Sequence, residues 1–312
     1  MTTRRSFIKK SAVGTTAATL LPFSTLASCS SQRINPKISL AQWSLNKAFF
    51  AGELNPEKFA SIARKDYNIS AIEYVNAFYR DSGNDEKFWH NLKQNAENED
   101  VKSLLIMVDD EGDLGNPNES ERKKAVENHY KWINAAKILG CHSIRVNAFG
   151  KGDNETVGNS LVDGLGALSE YGQKEGINVL IENHGLHTSN ANFIVDIIKK
   201  VNNPNLGTLP DFGNWCLNKE WGSTQNNACT DVYDRYKGLE EFLPYAKGVS
   251  AKSYDFDELG NETIMDYSRL LKTVKDSDFK GYIGIEYEGE RLSPTEGIKA
   301  TKNLIEHIWS EL

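Results

Sequence analysis

The chain is poor in the residues that mark non-globular proteins. Its 312 residues include 8 prolines and 24 glycines, too few for a linker-rich or collagen-like chain. Four cysteines are too sparse for a disulfide scaffold. No Gly-x-Gly-x-x-Gly turn follows the first strand-like run, so the signature of a dinucleotide-binding fold is missing. There is no Lys/Arg-rich stretch beyond the first ten residues. What is present is ordinary enzyme composition: 39% hydrophobic, 25% charged and 10% aromatic.

The first ten residues carry Arg4-Arg5-Ser-Phe-Ile-Lys9-Lys10, which resembles a twin-arginine export signal. Ser11–Ser28 is uncharged but only mildly apolar, which suits a cleaved leader better than a spanning helix of about 20 strongly apolar residues. It ends in Leu26-Ala27-Ser28-Cys29, which resembles a lipobox. The expectation is a signal peptide over 1–28, a lipidated Cys29, a polar tether over 29–37 and a folded domain over 38–312. Such a protein is exported, periplasmic or outer-membrane-associated, and touches the membrane only through its lipid; plain cleavage near Ser28 is the alternative. Loss of the leader removes four cations and leaves 32 against 43 acids, a net charge of −11. That acidity argues against nucleic acid as a partner. Beyond Cys29 the cysteines are Cys141, Cys216 and Cys229, an odd number. A Cys216–Cys229 bridge is conceivable in an oxidising compartment; free buried thiols are the simpler expectation.

Short apolar runs alternate with helical patterns along the rest of the chain. Strand-like runs occur at 38–45, 71–75, 103–108, 143–148, 178–183, 206–209, 248–251 and 282–286. Helix signals accompany most of them. Asn55-Pro56 reads as a cap and first turn, and Gly140 and Gly176 read as helix stops. Eight βα units in ~280 residues predict a single-domain α/β protein, a (β/α)8 TIM barrel, with a doubly wound open sheet as the alternative. The longest irregular piece is 213–230, the place to expect a lid or binding rim.

In a barrel, chemistry sits at the C-terminal strand ends. There the sequence places Gln42, Glu73, Arg145, Asn147, Glu182, His184, Asp211, Asn214, Lys252 and Glu286. An acid inside an apolar strand is costly unless paired or bound to a cation. Glu73, Glu182, Asp211 and Glu286 each follow Val/Leu/Ile segments, so a shared site explains them better than four separate salt bridges.

At these residues the sequence resembles the xylose isomerase-like barrels of the sugar phosphate isomerase/epimerase type. The resemblance rests on Ile181-Glu-Asn-His-Gly185, Gly207-Thr-Leu-Pro-Asp-Phe-Gly-Asn214, Val249-Ser-Ala-Lys-Ser-Tyr-Asp255 and Gly281-Tyr-Ile-Gly-Ile-Glu-Tyr-Glu-Gly289. It implies a divalent metal, Mn2+ or Mg2+, held by Glu182, Asp211 and Glu286. His184 as an added ligand would admit Zn2+. A family histidine on strand seven is Ser250 here, and a second, after strand six, is Asn214. The metal is therefore expected on three carboxylates, or the site is metal-free with Lys252 offsetting the acids.

The resemblance further implies proton transfer beside a carbonyl, with Glu182 and Glu286 as the acid/base pair. His184 and Lys252 are further catalytic candidates. Gln42, Glu73, Arg145, Asn147 and Asn214 are candidate substrate contacts. Export makes a phosphorylated substrate doubtful, so the expected substrate is a free sugar, keto-sugar or oxidised glycoside. A metal-dependent isomerase or epimerase is the first expectation. A lyase acting on 3-keto-glycosides by β-elimination and a non-catalytic sugar-binding lipoprotein are the alternatives.

Overall fold

The computed structural model describes residues 35–225 and 228–312. The expected leader, Cys29 and the first part of the tether lie outside the described residues. Eight strands form the frame: β1 (Ile38–Ala41), β2 (Ala71–Val75), β3 (Lys102–Val108), β4 (Ser143–Val146), β5 (Asn178–Glu182), β6 (Leu206–Leu209), β7 (Val249–Ser253) and β8 (Ile283–Tyr287). They lie parallel in the order β6-β5-β4-β3-β2-β1-β8-β7. The two outer strands meet through parallel bridges, Thr208 with Ala246 and Asp211 with Ser250. There the Ser250 amide donates to the Pro210 carbonyl at 2.9 Å, and the Phe212 amide donates to the Ser250 carbonyl at 3.0 Å. The sheet is thus closed, and the expected barrel is what forms.

Helices alternate with the strands: α1 (Asn46–Phe50), α2 (Phe59–Tyr67), α3 (Glu86–Asn98), α4 (Glu119–Leu139), α5 (Asn154–Glu175), α6 (Ala191–Val201), α7 (Arg235–Phe242), α8 (Tyr267–Asp276) and α9 (Pro294–Glu311). Local chemistry sets their ends. Asn118, Asp153 and Asn190 cap α4, α5 and α6 by accepting from the third helical amide. Ser293 and Glu296 form a reciprocal capping box on α9. Gly140 stops α4 in the left-handed region, at φ 77°. Two readings need correction. The first strand ends at Ala41, and Gln42–Leu45 turns into a 3-10 helix. The helix α7 carries no strong apolar stripe and follows the irregular stretch, so the pattern did not reveal it; Asp234 caps it.

Two apolar layers hold the barrel. The larger lies between sheet and helices and includes Trp89, Trp132, Leu165 and Phe242, all at most 1% exposed. Each such side chain contributes about 1.5–3 kcal/mol on burial. The smaller, Ala41, Val75, Leu105, Met107, Leu180 and Leu209, fills the barrel's interior. Alternation along a strand makes the next inward position two residues further on. After Met107, Leu180 and Leu209 those positions are Asp109, Glu182 and Asp211, and these acids belong to the site.

Candidate active site

Four strands each deliver a polar pair at i and i+2 above the apolar layer: Arg145 and Asn147, Glu182 and His184, Ser250 and Lys252, Glu286 and Glu288. Met107 and Leu209 are followed at the same spacing by Asp109 and Asp211. The register of parallel strands brings all of these to one end of the barrel.

One wall is organised by Arg145, which is 4% exposed. Its Nη1 donates to Asp109 Oδ1 at 2.6 Å and to Asn147 Oδ1 at 3.3 Å. Its Nε lies 2.7 Å from Glu182 Oε2. Burial works against the Asp109 carboxylate, but Arg145 outweighs it and holds the pKa below the usual range. Asp109 is therefore ionised and accepts from Asn147 Nδ2 at 2.7 Å. That bond fixes the Asn147 amide with its oxygen toward His184, whose Nδ1 lies 2.7 Å from Asn147 Oδ1. Since Oδ1 only accepts, Nδ1 carries the proton and Nε2 keeps its lone pair. Enclosure, then Arg145, pushes the His184 pKa well below the usual imidazole range, so the ring is neutral.

The opposite wall is organised by Lys252, which is 1% exposed. Its Nζ lies 3.3 Å from Glu286 Oε1, 3.4 Å from Glu288 Oε1 and 3.9 Å from Asp211 Oδ2. The Ser250 hydroxyl lies between two of the same acids, 2.6 Å from Asp211 Oδ2 and 3.0 Å from Glu286 Oε2. Asp211 Oδ1 accepts from the backbone amides of Gly213 and Asn214 at 2.7 and 2.8 Å. Burial still pushes Asp211 up to about 6. Glu182 is pushed to about 8, first by burial, with Arg145 opposing and the neighbouring acids adding to it.

Between the walls lies a cavity of about 420 Å³. Arg145, His184 and Glu286 line it, as do Asp109, Glu288 and a rim of Trp43, Phe50 and Trp221. Of the expected site residues, Glu182, Asp211, Asn214 and Lys252 are gathered immediately behind the lining and are at most 1% exposed. Asn214 Nδ2 donates to Glu182 Oε1 at 3.1 Å. Asn147 stands behind Asp109 and His184. Gln42 is turned to support: it donates to Tyr79 at 2.8 Å and accepts from the Val75 amide at 2.9 Å. Glu73 sits deeper, against Ser39 and the Gly284 backbone. Asp109, Glu288 and Trp221 were not singled out from sequence. The i+2 spacing from Met107 and Glu286 is the signal that finds the first two.

Cys216 and Cys229 are joined in a disulfide, so the expectation of free thiols holds only for Cys141, which is buried. Separate backbone packing pins the rim loop. Gly185, at φ 104°, lets His184 approach it; an added Cβ would sit 2.3 Å from the Lys219 carbonyl.

The carboxylates expected to hold a metal are brought together, but as they stand they do not fit one. Among the described residues no three acidic, imidazole or thiol groups are arranged to hold an ion. Glu182 faces Arg145, and Asp211 and Glu286 surround the Lys252 ammonium and share the Ser250 hydroxyl. The Lys252 ammonium, 3.3–3.9 Å from the three acids and within ion-pair reach of each, already puts a positive charge among the oxygens that a cation would have to approach.

A family model described as a xylose isomerase-like TIM barrel matches residues 63–308. Over 49 residues the chain is 39% identical to the C-glycoside deglycosidase alpha subunit of Arthrobacter globiformis, a stretch of 16% of this chain and 14% of that protein. Among solved structures, 3-keto-D-glucoside 4-epimerase YcjR from E. coli superposes with a TM-score of 0.65 at 13% identity, covering 86% of this chain and 98% of that one. D-psicose 3-epimerase from Clostridium cellulolyticum H10 gives 0.62 at 12% identity, covering 88% and 96%. The IOLI protein with a bound zinc atom gives 0.64 at 16% identity, covering 88% and 98%.

Proposed function

This chain belongs to the xylose isomerase-like TIM barrel family, and from that premise we propose that it is an epimerase or isomerase of unphosphorylated keto-sugars, working by proton transfer at a carbon beside a carbonyl. The observation that carries the proposal is a cavity with an acid/base group on each of two facing walls. Glu286 and Glu288 come from β8, and neutral His184, held by Asp109 and Asn147, comes from β5. Around the closed barrel these two strands are three positions apart, with β7 and β6 between them on the shorter side.

The steps follow from that geometry. A substrate ketone oxygen is placed against Arg145, whose Nη1 and Nε are already committed, so Nη2 is the end that meets it. A group on one wall takes the proton from the adjacent carbon. The C–H electron pair passes into the carbonyl to give an enediolate, whose charge Arg145 stabilises. The group on the other wall returns a proton to the opposite face, which inverts the centre. Glu286 and His184 are the catalytic pair; Glu182 acts through Arg145 and is a positioning residue. The reaction is redox-neutral and needs no organic cofactor.

A lyase is the second reading, favoured by the stretch shared with the C-glycoside deglycosidase alpha subunit. On a 3-keto-glycoside, removal of the C2 proton gives an enolate, whose electron pair then expels the C1 substituent as its anion. The disulfide supports the expectation of export, because such bonds persist in oxidising compartments. Export in turn favours unphosphorylated substrates.

The test is incubation with free ketoses and 3-keto-glucosides in D2O, followed by NMR. Deuterium beside the carbonyl with an inverted centre identifies the epimerase. Release of an aglycone with a 1,2-unsaturated sugar identifies the lyase. Glu286→Gln and His184→Gln should each slow either process at least ~100-fold. A sugar that binds without exchange or elimination would leave only a binding protein and end the proposal.

A further inference from the structure

Lys252 is among the largest fully buried side chains of the protein, yet it carries a charge. Burying an ammonium costs several kcal/mol unless opposite charges surround it. Three carboxylates do so here, from two separate segments: Asp211 after β6, and Glu286 and Glu288 at the end of β8. The Ser250 hydroxyl, two residues before Lys252 on the same strand face, lies between Asp211 and Glu286. At that position the resemblance calls for an imidazole ligand, and serine is too short and too weak a donor to replace it.

We propose that Lys252 is the resident cation of this site: its ammonium gathers Asp211, Glu286 and Glu288 where the fold family would hold a divalent ion, and the protein takes up none. The two changes work together. Serine removes a ligand, and lysine supplies the positive charge that the acids would otherwise draw from solution. The ammonium places a positive charge among the three acids from within the chain, without the short oxygen distances a metal demands. The inference concerns cation binding alone and stands apart from the proton-transfer proposal.

The experiment uses the whole purified protein without substrate. Equilibrium dialysis against Mn2+, Zn2+ and Co2+, with metal analysis, should find less than ~0.1 equivalent retained, and excess EDTA should leave the thermal midpoint unmoved. One retained equivalent, with a midpoint that EDTA lowers by several degrees, would overturn the proposal. A second arm restores the ligand and removes the cation, as Ser250→His with Lys252→Met. Confirmed folded by circular dichroism, that protein should bind about one equivalent of Co2+ and show visible absorption from the bound ion. A folded double variant that still binds no metal would also overturn it. If the double variant does not fold, the wild-type titration decides alone.

Discussion

Arg145 stands between two carboxylates, with Nη1 2.6 Å from Asp109 Oδ1 and Nε 2.7 Å from Glu182 Oε2. Asp109 and Arg145 line the cavity and Glu182 lies behind them, so loss of Arg145 leaves both acids without their cation. Arg145→Met is expected to cost about 3–5 kcal/mol of stability, from two acids that lose their cation and keep only an amide hydrogen bond each. Chemical denaturation measures that loss. Glu182→Gln keeps the shape but weakens the hold on the guanidinium. It should lower turnover at least ~100-fold, the scale of a misplaced electrostatic or acid–base group. Near-normal turnover in Glu182→Gln would remove Glu182 from the mechanism.

Glu73 sets a pH dependence of stability. Its Oε1 accepts from Ser39 Oγ at 2.6 Å, while Oε2 is buried with no hydrogen-bond partner. Burial, opposed by Ser39 and reinforced by Glu286, raises its pKa from 4.5 to about 7. The folded state therefore holds this proton more tightly than the unfolded chain. The resulting stability is fully present below pH 4.5 and is lost as pH rises through about 7. Denaturation midpoints across that range should fall with rising pH. Glu73→Gln, which cannot ionise, should flatten the fall by up to about 3 kcal/mol. An unchanged slope in the variant would show that Glu73 is already ionised in the folded protein.

The barrel and half of the site were legible in the sequence for one physical reason: a parallel strand buried on both faces is apolar, so a polar residue at its end stands out. Glu182, Asp211 and Glu286 were visible in this way, and the structure does gather them. The cavity lining was less visible because solvent access depends on which residue of an i, i+2 pair lies outermost. Glu182 is covered by Arg145, while Glu288, one step further along its strand, reaches the cavity. Gln42 looked like a site residue, but the strand turns into a 3-10 helix there and directs the amide to Val75 and Tyr79. The disulfide was open as well, since pairing depends on how the irregular loop folds back.

That loop makes a prediction of its own. The Cys216–Cys229 bridge spans 13 residues. Closing a loop of this size is worth roughly 3 kcal/mol in the chain-entropy account. Trp221 and Ser223, both on the cavity rim, lie inside it. Reduction by dithiothreitol, or Cys216→Ser with Cys229→Ser, should lower the thermal midpoint and raise KM, with kcat much less affected. Equal loss of kcat and KM would indicate that the loop positions catalytic groups as well as substrate.

Trp221 is the residue through which that loop reaches the site. It is 41% exposed at the cavity mouth, and its ring meets His184 and Phe149 edge to face, with centroids 5.3 and 5.8 Å away. Its backbone is left-handed, at φ 66°, which costs a bulky residue about 1–3 kcal/mol. Under the proposed function, a large apolar ring held over a polar cavity is a stacking surface for a sugar face. Two variants separate the side chain's role from the backbone's. Trp221→Ala removes the ring and keeps most of the strain, whereas Trp221→Gly removes both. Binding should weaken by a similar factor in the two, because the stacking surface is gone from each. Stability should differ: glycine tolerates this conformation and should exceed alanine by about 1 kcal/mol. A ring that serves only to pack against His184 would instead show lost stability in both variants and an unchanged KM.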